Sequence, residues 1–264
     1  MENQIHTSLE VRYHEPERLP ASAGIKWITD AFGIFKLHPW KWIGVVLIYI
    51  IAGLVASIVD FLEIDVLSSL KNIVLGWMGI CLLGGVMFVA HRTSNHNIFN
   101  TQDFFIVFQH KKMSFFILYL LQMLFGVIVG SLILPMFFLT DRWGGVAILP
   151  FMSLISYVAL ILFLLTPALI VLDDMNAWDA IKANFKAVIR NIPAILVFTI
   201  GMFILFFLFG AFLFFLFGAL IGVLDGWIIS VFLLIFFLPL CVINLLLPYA
   251  VYRSIYPNGR VVKS

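Results

Sequence analysis

The chain has 264 residues, 63% hydrophobic and only 11% charged, with a formal net charge of +2 and a mean hydropathy of +1.10. A soluble domain carries about 25% charged residues. This chain cannot cover a globular surface with polar groups and must use lipid as part of its solvent. Residues 1–21, with Pro16 and Pro20, read as a flexible tail. They lack an apolar h-region, so no cleavable signal peptide is expected.

A helix is predicted from Lys26 to Phe35. Trp27, Ile28, Ala31, Phe32, Ile34 and Phe35 fall on one side and Lys26, Thr29, Asp30, Gly33 and Lys36 on the other, the pattern of an amphipathic helix. Ser22 is placed to cap it, and Pro39 ends it. Trp40 and Trp42 then stand where aromatic belts form. The segment reads as a helix lying in the membrane interface before the first span.

Six apolar runs follow: Trp40–Val59, Ile73–Ala90, Ser114–Leu139, Val146–Leu172, Pro193–Gly222 and Trp227–Tyr252. Each is near or above the roughly 20 residues that cross a hydrocarbon core. Backbone groups in lipid must be paired internally, so such runs imply helices. A second interfacial segment is expected near Asp103–Lys112 and a third at Asn176–Arg190, with Asn176 placed to cap it. In the third, Asp179, Lys182, Lys186 and Arg190 share a face opposite Ala180, Ile181, Phe185 and Val188. The exits of the even spans also resemble one another: GGVMFVAHRT, LLTPALIVLDD and LLLPYAVYRS, with Gly85 where the others have Pro167 and Pro248. The expected fold is all-α and polytopic, with six transmembrane helices as three parallel repeats of an interfacial amphipathic helix plus two spans. One membrane domain covers residues 22–256, and 257–264 form a second tail.

Fourteen of the sixteen Lys and Arg fall in the two tails and the loops after the second and fourth runs. Lys71 and Arg142 alone lie in the other loops. The positive-inside rule then puts both termini in the cytoplasm.

No ionisable residue lies near a span centre, and no nucleophile elbow, phosphate loop, zinc motif or cysteine pair occurs. No enzymatic activity, cofactor or metal is therefore expected, and nucleic acid is not an expected partner. Membrane lipids and other membrane proteins are. Headgroup or partner contact falls to Lys182, Lys186, Arg190, Lys111, Lys112, Lys36 and Lys41, since each cation near an anionic leaflet is worth about 1 kcal/mol. Intramembrane prolines mark a second candidate, a groove near Thr166, Pro167, Asn244 and Pro248, with kinked packing as its alternative. Gly126-x-x-x-Gly130 and Gly218-x-x-x-Gly222 have the spacing of close helix contacts. The readings are a lipid-interacting or scaffold protein and, alternatively, a carrier for a hydrophobic or amphipathic solute. An intramembrane enzyme is a third.

The plan GIKWITDAFGIFKLHPWKWIG before six spans, with TPALIVLDD and AIKANFKAVIRNIP in the middle, resembles a group of proteobacterial inner-membrane proteins of unknown function. It is distantly similar to the six-helix membrane domain fused to some glycerophosphodiester phosphodiesterases. The resemblance covers roughly residues 22–256 and implies a bacterial cytoplasmic membrane. The phosphodiesterase catalytic domain has no counterpart, so no active-site residue carries over.

Overall fold

The structure is a computed structural model that describes residues 15–60, 65–139, 158, 161–218 and 226–257. Among them every regular element is helical. The order is α1 (Ala23–Leu37), α2 (Pro39–Asp60), α3 (Asp65–His96), a 3-10 turn (Thr101–Phe105), α4 (Ile106–His110), α5 (Lys112–Leu139), α6 (Thr166–Leu172), α7 (Ala177–Arg190), α8 (Ile192–Gly218) and α9 (Gly226–Ile255).

Among the described residues four helices are long and apolar enough to cross a membrane: Ser69–His96, Lys112–Ser131, Ile192–Leu213 and Phe237–Ile255. The pair Ala23–Leu37 and Pro39–Val55, bent by 99°, makes a fifth if counted as one span. Six were expected. The remaining run, 146–172, is described as a helix only over Ile161–Leu172, a shorter apolar piece. The loops that hold Asp141, Arg142 and Asp225, and position Gly222, lie outside the described residues.

The bend between α1 and α2 follows from Pro39. The ring disfavours α geometry at the residue before it, and His38 takes φ −143° and ψ 63°. Pro39 has no N–H to lose as the first residue of the next helix. The chain therefore turns sharply with no irregular loop.

The spans differ in depth within the bundle. In the most apolar stretch, 61% of the Phe237–Ile255 span and 39% of Ser69–His96 are buried, against 17% of Lys112–Ser131 and 22% of Ile192–Leu213. α3 and α9 are thus the inner helices, and α5 and α8 the outer ones. The outer helices show Phe203, Phe207, Phe215, Val127 and Leu124 on their exposed surface. Soluble monomers rarely expose apolar surface on this scale.

The short helices dock on the inner ones. The 3-10 turn and α4 pack on α3, α7 packs on α6, and α1 packs on α9 and α8. Glycines permit two of these approaches. A Cβ on Gly85 would stand 2.1 Å from the Phe104 carbonyl oxygen, and one on Gly24 would stand 2.3 Å from that of Ala194. Only a residue without Cβ lets two backbones come this close. Gly126 and Gly130, read above as a contact pair, meet nothing within 4 Å among the described residues.

Buried aromatics fill the end of the bundle where the short helices lie. Trp27 meets Phe198 edge-on at 5.9 Å, and Trp42 meets Phe99 at 4.9 Å. Such pairs add about 0.5–1.5 kcal/mol beyond the area they bury.

Candidate functional site

The polar chemistry of the described residues gathers at this one end. α3, α6 and α9 all finish here and touch one another. Their last turns enclose a cavity of about 860 Å³. α3 supplies His91, Arg92 and His96, and α9 supplies Tyr249, Tyr252 and Arg253. A second cavity of about 650 Å³ lies between α1, the irregular segment before it and the end of α9. Its lining has mixed charge and includes Glu17, Asp30, Lys26 and Arg253. Arg253 lines both cavities.

Local sequence explains how these side chains are held. α3 stops because Asn97 takes φ 54°, a left-handed conformation that Asn tolerates better than most residues. The Ile98 N–H then returns to the Arg92 carbonyl at 3.4 Å and the Asn97 N–H to Thr93 at 3.0 Å. Arg92 is fixed by Asp103 of the 3-10 turn at 2.5 Å. On α9, Tyr249, Tyr252 and Tyr256 form a row, with neighbouring rings 6.4 and 5.7 Å apart. Each hydroxyl is anchored. Tyr249 and Ser94 share a hydrogen bond of 2.8 Å, the Tyr252 hydroxyl donates to the buried Asp173 carboxylate at 2.9 Å, and that of Tyr256 donates to the Ala183 carbonyl. The row ties α9 to α3, α6 and α7.

Two buried asparagines complete the end. Asn184 sits on the small-residue face of α7, with Ala177, Ala180 and Ala187. Its oxygen accepts the Leu165 N–H at 2.9 Å, and its amide donates to the Leu162 carbonyl. The helix that reaches α6 breaks at Leu164 and Leu165, just before Pro167. Asn184 pairs the backbone groups which that break sets free. Asn191 does the same for an extended segment: its oxygen accepts the Leu19 N–H at 2.8 Å and its amide donates to the Glu17 carbonyl at 2.9 Å. With the Glu17 N–H donating to the Ile255 carbonyl at 3.0 Å, residues 15–20 become a strap held across the ends of α7 and α9. Neither asparagine was singled out in the sequence. The available signal was an Asn among alanines on an apolar helix face, close in the fold to a proline.

The cations expected to meet headgroups divide into two groups. Lys111 pairs with Asp174, while Lys186 and Arg190 both reach Glu15 of the strap, at 2.7 and 3.3 Å. Lys182 lies 3.8 Å from Asp179 and over the Trp178 ring. Lys36 and Lys41 sit over the rings of Phe32 and Phe99. Lys112 has no ion-pair partner among the described residues. Beside these cations α7 leaves Trp178, Phe185 and Ile189 exposed. Its apolar half is therefore split, with small residues against protein and large ones outward. Asn176 caps the helix as expected, accepting the Asp179 N–H at 2.9 Å. Ser22 precedes α1 but makes no side-chain cap.

The four groove candidates do not converge. Thr166 and Pro167 are buried in α6, and the Thr166 hydroxyl finds no partner among the described residues. Pro248 is buried, whereas Asn244 is exposed and, among the described residues, bonds only to Leu240 of its own helix. Neither cavity is lined by any of the four. Among the described residues no group of three His, Cys, Asp or Glu is arranged to hold a metal ion.

The strap gives a first test. The hydrogen bond and charge of Lys186, followed by those of Arg190, hold the Glu15 carboxyl below its ordinary range. A carboxylate depressed in the folded state stabilises that state at neutral pH and ceases to do so as pH falls through its folded value. A spin label at position 16 should therefore gain mobility on acidification below the usual carboxylate range, and Glu15→Gln should give that mobility at pH 7. The effect should be small and weakened by salt, because all three groups are solvated. Unchanged mobility in Glu15→Gln at pH 7 would show that Asn191 and the Glu17–Ile255 hydrogen bond hold the strap without the ion pairs.

Comparison with known proteins returns no match: no family model fits the chain, and no curated protein or solved structure does.

Proposed function

We propose that the chain is a non-enzymatic, multi-pass protein of the bacterial inner membrane that engages anionic lipid at its basic end. The supporting observation is the composition of that end. Exposed Trp178, Phe185 and Ile189 lie next to Lys182, with Lys36, Lys41 and Lys112 also at this end. An apolar surface bordered by cations suits the boundary between acyl chains and headgroups. The same proposal includes membership in the six-span inner-membrane group and both termini in the cytoplasm. It also includes a threefold repeat, in which each interfacial segment leans on the second span of the preceding unit and α1 leans on that of the last. The contacts of the 3-10 turn with α3, of α7 with α6 and of α1 with α9 support that order.

Two measurements test it. A reporter fused after Lys263 should be active in the cytoplasm, and a cysteine at position 225 should be labelled by an impermeant reagent added outside. Labelling only after the inner membrane is permeabilised would reverse the orientation. Replacing Lys182, Lys186 and Arg190 together by Ala should weaken attraction to an anionic bilayer by at most about 3 kcal/mol, at about 1 kcal/mol each. The loss should be less while Glu15 already occupies two of them. Equal lipid retention by parent and triple variant would remove the lipid reading. A carrier for an amphipathic solute is the second reading, favoured by the 860 Å³ cavity.

A further inference from the structure

The cavity between α3, α6 and α9 is about 860 Å³, within the roughly 300–1,000 Å³ of small-molecule sites. Its walls differ in chemistry. Phe88, one turn deeper along α3 than Arg92, joins Val171 and Leu172 as an apolar side. Nearer the helix ends stand Arg92, His96 and Arg253, and the lining includes no Asp or Glu. Asp103 already neutralises Arg92. Asp173, outside the lining, takes the Tyr252 hydroxyl hydrogen bond. Arg253 has no ion-pair partner among the described residues; Glu17 and Asp30 line the other cavity it borders, and no carboxylate lines this one.

We propose that this cavity binds the phosphate of one anionic amphiphile per chain, with the charged head at Arg253 and His96 and the apolar part along Phe88 and Leu172. The proposal rests on the reading that the basic end engages anionic lipid, and deepens it from a surface to a site. A phosphodiester carries one negative charge, which one arginine can meet with two parallel N–H donors. The anchored tyrosines keep the wall in place before the ligand arrives, which limits the ordering cost of binding. The phosphate can come from a membrane lipid of the same leaflet or from a soluble phosphate ester that reaches this end from water.

The full chain in dodecyl maltoside is titrated with dioleoyl phosphatidylglycerol, with dioleoyl phosphatidylcholine and with glycerol 3-phosphate, and bound ligand is counted by native mass spectrometry. One phosphatidylglycerol per chain should saturate the site. Arg253→Gln should weaken that event at least about tenfold, as loss of a charged hydrogen bond does. His96→Gln, an exposed change that spares the fold, should weaken it in the same direction. Binding of phosphatidylglycerol with no competition from glycerol 3-phosphate assigns a membrane lipid; saturation by glycerol 3-phosphate alone assigns a soluble ester. Equal affinity of the parent, Arg253→Gln and His96→Gln for phosphatidylglycerol overturns the site. If the triple change of Lys182, Lys186 and Arg190 to Ala abolishes binding while Arg253→Gln does not, the surface reading stands and the cavity proposal falls. The reverse result keeps the cavity and removes the surface.

Discussion

Gly24→Ala should pry α1 from α8. The new methyl would lie 2.3 Å from the Ala194 carbonyl oxygen and 2.5 Å from the Phe198 nitrogen. Both are backbone atoms, so no side chain can swing aside, and the helices must separate. Overpacking ordinarily costs about 1–3 kcal/mol, and this site should fall at the upper end. Trp27 would lose its edge contact with Phe198. The measurement is thermal unfolding of the purified chain, followed by tryptophan fluorescence. Gly33→Ala is the control. It lies in the same helix with nothing within 4 Å of its would-be Cβ, and alanine there should be favourable by up to about 1 kcal/mol. Equal melting of the two variants would mean that α1 does not approach α8 as described.

Asn184→Leu should be the most damaging change of similar volume at the basic end. It leaves the Leu165 N–H and the Leu162 carbonyl without their side-chain partner, inside an apolar setting formed by Ala180, Ala187 and Leu169. A buried polar group left unpaired costs about 1–3 kcal/mol, and here there are two. The expected result is a lower melting point together with exposure of the α6–α7 junction to protease. Asn184→Ala should behave similarly if the space does not admit water. Asn244→Leu supplies the contrast: among the described residues its amide bonds only within its own helix and faces outward, so the change should be neutral in a bilayer. A stable Asn184→Leu would show that the break before Pro167 satisfies itself.

These two residues also show what the sequence could and could not reveal. The all-helical membrane fold was legible because lipid forces backbone pairing within each helix and because composition alone excludes a polar surface. The turn at His38–Pro39 and the cap at Asn176 were legible because each has a local cause. Asn184 was not, because its partners lie about twenty residues upstream and only the fold brings them near. Gly85 looked like a proline substitute at the end of a span. Its role as the seat of the Phe104 carbonyl depends on a neighbour that no periodicity announces. Conversely, the spacing of Gly126 and Gly130 promised a contact, yet neither meets one among the described residues. Small-residue spacing permits close approach without causing it. The cations were found, but not their partners: Glu15 is far from Lys186 in sequence, and the strap that joins them has no helical or strand signature.

The docking of α1 on α8 and α9 has a meaning for biosynthesis. A ribosome finishes α1 well before it reaches Ile192 or Gly226. At about 5–20 residues per second the interval is on the order of ten seconds. Throughout it Trp27 lacks the Phe198 ring it will meet, and α1 has only its lesser contacts with α2 and α3. On the proposed interfacial reading the lipid surface is its waiting place, with Lys26 and Lys36 on the opposite side keeping the helix from sinking further. The first segment made is thus among the last to find its seat. A nascent chain halted before α8 should leave α1 open to cleavage, and release of the completed chain should protect it.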